Sequence, residues 1–128
     1  MVRVIIVEDD AAFRAALGLT LRRMGADVLA EMPDGQAAFE LLSRGPLRAN
    51  PDLILTDCQM PRLDGIALAR RLRASGDRTP IIMISAQSEP QLIDIALAAG
   101  VSQYLPKPLS TPQLSAAIER TFPGWAAA

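Results

Sequence analysis

At 128 residues the chain is the length of one domain, and with 50% hydrophobic and 21% charged residues it has the balance of an ordinary folded globule and not of a disordered arm. A net charge of −1 argues against a binder of the nucleic-acid backbone, and the apolar run Val4 to Val7 is too short for a membrane span or a signal-peptide core, which makes the cytoplasm the default location. A single cysteine and no histidine exclude an internal disulfide, the familiar Cys/His zinc sites, Ser-His-Asp or Cys-His catalysis and a histidine phosphocarrier, leaving carboxylates, hydroxyls and lysine to carry any chemistry.

Short β-rich apolar runs alternate with longer stretches of helical period, five pairs in all, the pattern of parallel βαβ units. The first strand is expected over Arg3 to Val7 and runs into the acids Glu8, Asp9 and Asp10. The helix after it, about Ala11 to Met24, lines up Phe13, Leu17, Leu21 and Met24 on one stripe before Gly25 stops it. A second strand, Asp27 to Met32, leads through Asp34-Gly35 into a helix reaching about Ser43, and Gly45-Pro46 and Asn50-Pro51 bound the loop that follows. The third strand, Leu53 to Thr56, ends at Asp57; its helix starts near Gly65, stops before Gly76 and carries Arg70, Arg71 and Arg73 as a solvated face.

The fourth strand, Pro80 to Ser85, precedes a helix that opens after Ser88 with Pro90 in its first turn and closes at Gly100. Leu92, Ile95, Ala96 and Ala99 form its expected core stripe, and Ile93 and Leu97 form a second apolar strip suited to a partner. The fifth strand, Gln103 to Leu105, is followed by a helix capped by Thr111, with Pro112 at its first position and Leu114, Ile118 and Phe122 turned inward. The first, third and fourth strands are apolar on both faces and belong in the middle of a sheet covered on both sides. A doubly wound five-stranded parallel sheet of order 2-1-3-4-5 with five helices satisfies this pattern, as one domain over residues 1–128 with an ordered core of about 2–122.

In that order the first and third strands are neighbours whose helices leave to opposite faces, which opens a crevice at their carboxyl ends and sets Glu8, Asp9 and Asp57 side by side. Carboxylates gathered within about 4–6 Å raise one another's pKa unless a cation sits among them. An all-oxygen site of this kind suits magnesium better than zinc. Asp10, nearest the helix start, reads instead as an acid serving the helix N-terminus. The fourth strand brings Ser85 and the small Ala86 to the same crevice, and the fifth leads into Lys107-Pro108. A carboxylate flanked by magnesium, a hydroxyl and an ammonium is equipped to attack phosphorus and hold an acyl phosphate.

The stretches VEDD (Val7 to Asp10), DCQMPRLDG (Asp57 to Gly65), SA (Ser85-Ala86) and YLPKP (Tyr104 to Pro108) together resemble the receiver domain of two-component response regulators, the CheY-like, flavodoxin-like family, over essentially the whole chain. The resemblance implies that Asp57 accepts a phosphoryl group from the phosphohistidine of a histidine kinase or histidine phosphotransfer protein. Magnesium would be held by Asp9, Asp57 and the backbone carbonyl of Gln59, with Glu8 acting mainly through water. Lys107 would contact the phosphoryl group, Ser85 would move toward it as the switch, and Tyr104 would turn inward in response. A cis Lys107-Pro108 bond is also implied. So is a role outside enzymology, with catalysis confined to the chain's own phosphorylation and dephosphorylation, and a protein target downstream.

Some positions depart from the common pattern of the family. Ser85 stands where threonine is frequent and keeps the hydroxyl; Pro106 removes a backbone donor, which suits an edge strand. Gln59 and Gln87 occupy the two positions that tune acyl-phosphate lifetime. Ser102-Gln103 replaces the acidic pair of receivers that dimerise through a charged face. Cys58, without a basic neighbour in sequence, reads as a packing residue. After Pro123-Gly124 little more than Trp125 remains, too little for an output domain, and with Met1 at the start this favours a complete single-domain regulator. The alternatives are a degenerate receiver that binds partners without phosphate, a haloacid-dehalogenase-type phosphatase and a flavodoxin-like carrier. The phosphatase pattern wants a second aspartate where Gln59 stands, and a carrier's phosphate would meet three acids after the first strand.

Overall fold

The structure, a computed structural model, describes residues 1–44 and 50–125. The expected loop boundary at Gly45-Pro46 and the three closing alanines lie outside the described residues. Strands and helices alternate as β1 (Arg3–Val7), α1 (Ala11–Arg23), β2 (Asp27–Met32), α2 (Gly35–Arg44), β3 (Leu53–Asp57), α3 (Gly65–Ala74), β4 (Ile81–Ser85), α4 (Pro90–Ala98), β5 (Gln103–Pro106) and α5 (Thr111–Thr121). All strand pairs are parallel, in the order β2-β1-β3-β4-β5. The expected fold class is the one observed.

Alternation along the central strands accounts for their apolar runs. Val4 and Ile6 of β1, Leu53 and Leu55 of β3, and Ile82 and Ile84 of β4 enter one core layer with Leu17 and Leu21 of α1 and Leu114 and Ile118 of α5. Their neighbours Ile5, Val7, Ile54, Ile81 and Met83 enter the other layer, beneath α2, α3 and α4. A strand buried on both sides needs apolar residues at every position, whereas the edge strands β2 and β5 stay half-buried. Trp125, just past α5, is also buried in the first layer.

Helix ends follow local chemistry, with one cap corrected, and one expected core residue of α4 is corrected as well. Asp10 caps α1 by accepting from the N–H groups of Ala12 (3.0 Å) and Phe13 (3.1 Å), and Asp64 caps α3 through the N–H of Ala67 (2.8 Å). The cap of α5 is Ser110, not Thr111. Ser110 Oγ accepts from the Gln113 N–H while the Gln113 side chain accepts from the Ser110 N–H, a reciprocal box that Thr111 cannot form from inside the helix. In α4, Ala96 and Ala99 are buried and Leu92 is half-buried, but Ile95 is 45% exposed. At 100° per residue Ile95 lies roughly 70° from the direction shared by those three. The exposed large apolar residues of α4 are therefore Ile95 and Leu97, and Ile93 is half-buried.

The α3 arginines also divide. Arg70 and Arg71 are exposed, but Arg73 donates to the carbonyls of Asp77 (2.9 Å) and Gly100 (2.8 Å), tying α3 to the end of α4. Pro106 extends β5 by one residue and pairs opposite Ser85, where its missing N–H costs no ladder bond because β5 is an edge.

Candidate functional site

The acids arrive where β1 leaves the sheet, and they differ in surroundings: Glu8 is 2% exposed, whereas Asp9 faces solvent. Glu8 is fixed on several sides. Its N–H donates to the Met32 carbonyl at 2.9 Å and its carbonyl accepts from Arg14 Nη1 at 2.6 Å. Its Oε2 accepts from the Asp10 N–H and its Oε1 meets Lys107 Nζ, each at 3.0 Å. Burial lifts the Glu8 carboxyl above its usual range; the bonds from Asp10 and Lys107 oppose the rise and the charge of Asp57 adds to it.

Asp57 is the last residue of β3, paired in register with Ile84. Its Oδ1 accepts from the Cys58 N–H at 2.7 Å and its Oδ2 lies 3.3 Å from Lys107 Nζ, with the side chain 11% exposed. Carboxylate oxygens of Glu8, Asp9 and Asp57 lie within 4.8 Å of one another, and Asp10 stands outside the group. Three carboxyl groups offering oxygen donors, with an open side at Asp9, fit a hard divalent cation that keeps some of its water, which is the coordination magnesium prefers. Gln59 follows in the adjoining loop, exposed. Gly65 closes that loop: its N–H donates to the Cys58 carbonyl at 2.8 Å, and a methyl there would overlap the Asp57 carbonyl.

Lys107 enters from the segment after β5, its N–H donating to the Ser85 carbonyl at 2.8 Å and its bond to Pro108 cis. Burial alone would lower its pKa, but the hydrogen bond from its ammonium to Glu8 and the charge of Asp57 outweigh that and the net shift is upward. Ser85, 2% exposed, closes β4, and its Oγ accepts from the Gln87 N–H at 3.1 Å. The half-buried Tyr104 donates its hydroxyl to the Gln87 carbonyl at 2.7 Å. Both expected switch residues thus hold the same residue of the β4–α4 loop. Cys58 is 3% exposed, and burial, with the charges of Asp64 and Asp57, pushes its thiol up to about 11. Such a thiol is a poor nucleophile.

Three features were not legible in the sequence. Phe13, expected only as a core residue of α1, has its ring centroid 4.4 Å from Lys107 Nζ. Arg14 holds the Glu8 backbone, and a lone arginine in a helix gives no sequence signal of that. The third is a clamp between α2 and the β3–α3 loop, where the N–H groups of Gly35 and Gln36 donate to the carbonyls of Leu63 (3.2 Å) and Arg62 (2.9 Å). The Asp34-Gly35 pair was the one visible trace of it.

A doubly wound parallel sheet with an acidic crevice at the ends of β1 and β3 and a lysine reaching in beyond β5 defines a receiver-type signalling domain. Residues 4–119 match the family Response regulator receiver domain, and the chain belongs to that family. It is 41% identical over 117 residues to the transcriptional regulatory protein PdtaR of Mycobacterium tuberculosis, covering 91% of this chain and 55% of that one. It is also 37% identical over 127 residues to the response regulator MprA of Mycolicibacterium vanbaalenii, covering 95% and 52%. The chain thus spans about half the length of the curated relatives it matches. Among solved structures, the signal receiver domain of NarL from Mycobacterium tuberculosis superposes with a TM-score of 0.85 at 31% identity, covering 94% of this chain and 95% of that one. Chemotaxis protein CheY4 of Vibrio cholerae also gives 0.85, at 26% identity, covering 95% and 99%. Among the described residues no helix is long and apolar enough to cross a membrane.

Proposed function

We propose that residues 1–128 form one receiver that takes a phosphoryl group onto Asp57 from the phosphohistidine of a histidine kinase or histidine phosphotransfer protein and then changes a partner-binding face. The observation that carries this reading is the Asp57 carboxylate, which meets Lys107 at 3.3 Å and shares an oxygen cluster with Glu8 and Asp9. A carboxylate oxygen of Asp57 attacks phosphorus, the P–N bond to the donor imidazole breaks, and that nitrogen keeps the electron pair and is reprotonated. Magnesium would be held by Asp9, Asp57 and the Gln59 carbonyl, with Glu8 acting through water, and when bound it neutralises charge on the acceptor and on the phosphoryl oxygens. Lys107 supplies a second, fixed positive charge.

Ser85 and Tyr104 convert the new charge into shape. Ser85 Oγ leaves the Gln87 N–H to donate to a phosphoryl oxygen, Tyr104 then gives up the Gln87 carbonyl, and the β4–α4 loop and α4 rearrange beside Ile95 and Leu97. The domain works in the cytoplasm, contacts no nucleic acid itself, and catalyses only its own phosphorylation and dephosphorylation. Beryllofluoride with magnesium, which imitates an acyl phosphate, tests this. Amide resonances of Cys58, Ser85, Gln87 and Tyr104 should shift together in the wild type and stay put in Asp57→Ala. Unmoved resonances in the wild type would favour the degenerate, phosphate-independent receiver.

A further inference from the structure

We propose that Phe13 is a positioning residue for Lys107, holding the ammonium at the acceptor through the face of its ring; this rests on the phosphoacceptor reading above. The Phe13 centroid lies 4.4 Å from Lys107 Nζ, well inside the range of a cation–π contact. The ring is backed by the core layer that contains Leu17 and Leu114, and it lines a cavity of about 120 Å³ with them and Leu109. The Lys107 backbone is held by its N–H bond to the Ser85 carbonyl, but the ammonium stands on a flexible four-carbon stem, so side-chain contacts decide where the charge sits.

In the structure two of its three donors go to Glu8 Oε1 (3.0 Å) and Asp57 Oδ2 (3.3 Å). Both partners belong to the oxygen cluster that fits a cation, so a cation there competes with Lys107 for the same carboxylates. A phosphoryl group on Asp57 also removes negative charge from the oxygen that bears it. Both changes loosen the ion pairs, and neither touches the ring. A ring face attracts the ammonium without accepting a directed hydrogen bond, so it keeps the charge in place while leaving the N–H donors free to turn to phosphoryl oxygens.

The test replaces Phe13 site-specifically with mono-, tri- and pentafluorophenylalanine, which drain the ring face of negative potential while barely changing its size. Phe13→Leu and Phe13→Tyr are made alongside. Loading from acetyl phosphate with magnesium is followed by intact mass, and the Lys107 ε-methylene protons are followed by NMR. The expected result is an upfield ring-current shift of those protons in the wild type that is lost in Phe13→Leu. The loading rate should fall stepwise with fluorination, drop about threefold in Phe13→Leu and recover in Phe13→Tyr. A loading rate that is flat across the fluorinated series, or a wild type without the ring-current shift, overturns the proposal. A shifted Lys107 in a wild type that never gains a phosphoryl group overturns the phosphoacceptor reading instead, and with it any part for Phe13 in loading.

Discussion

At the scale of single residues the site is a set of charges whose energies depend on one another. Glu8 is almost fully buried, and a buried carboxylate is tolerable here because Lys107 sits 3.0 Å away. Lys107→Met should lower stability at neutral pH by about 2–3 kcal/mol, less than the cost of breaking a fully buried pair because Lys107 is partly exposed. The sign of its pH dependence follows from Glu8, whose folded pKa is raised above 4.5, so the folded state keeps a proton that the unfolded state has lost. Stability therefore falls as pH rises through that window, and in Lys107→Met it should fall more steeply; urea unfolding between pH 4 and pH 7 measures it.

Cys58 gives an alkaline counterpart. Its thiol holds its proton up to about 11 in the fold against an ordinary 9.0, so the folded state binds more protons than the unfolded state between those values and stability declines as pH rises through them. Tyr104, raised by burial, and Lys107, raised on balance, extend the decline to higher pH. Thermal melts of Cys58→Ala should lose the lower part of that slope while the rest persists. At this scale the meeting of Asp57, Ser85 and Lys107 could be read from the sequence because Asp57 and Ser85 end their strands and Lys107 directly follows one. Phe13 could not, because its helical spacing makes it look like any other core residue.

Between elements, the β3–α3 loop carries backbone strain and its hydrogen bonds to α2 at the same two residues. Arg62 and Leu63 both have left-handed backbones, with φ of 54° and 90°, which costs non-glycine residues of order 1–3 kcal/mol each. Their carbonyls accept from the N–H groups of Gln36 and Gly35 at the start of α2, and buried Asp34 faces Arg62 Nε at 3.7 Å. Glycine at 35 is what allows this approach, since a methyl there would overlap the Leu63 carbonyl. Gly35→Ala should destabilise the fold by about 1–3 kcal/mol in urea titration and weaken magnesium binding by calorimetry, because the loop carrying Gln59 must shift. Ile95→Gln with Leu97→Gln should change stability by no more than about 0.5 kcal/mol, both sites being well exposed.

Element type and order were legible because period and punctuation agree: two-sided apolar strands, helical stripes, glycines or prolines at the ends. What failed was finer. The choice between Ser110 and Thr111 as cap turned on a side-chain geometry that both residue types could supply. Ile95 was misplaced because α4 covers the sheet with alanines, so its larger apolar residues are not automatically its inward ones. Arg73 looked solvated in a run of arginines, yet the Gly100 carbonyl at the end of α4 recruits it.

For the whole molecule, the sheet order is what assembles the acidic crevice. Placing β1 beside β3 joins Glu8 and Asp9 to Asp57 across some fifty positions of sequence, and Lys107 closes the site from beyond the far edge of the sheet. The same arrangement lets Ser85 and Tyr104 both hold Gln87 in the β4–α4 loop, the link on which the proposed switch to the exposed apolar residues of α4 rests. The acidic residues, spaced by strands, made the site visible in advance; the Gln87 link between Ser85 and Tyr104 was not, because it runs through backbone atoms.

Asp57 as the phosphoryl acceptor is the centre of the proposed function. Intact mass spectrometry after incubation with acetyl phosphate and magnesium should show the wild type gaining one phosphoryl group, with none on Asp57→Asn and none on the wild type when magnesium is chelated. A wild type that gains no phosphoryl group, or an Asp57→Asn protein that gains one as readily, would contradict it.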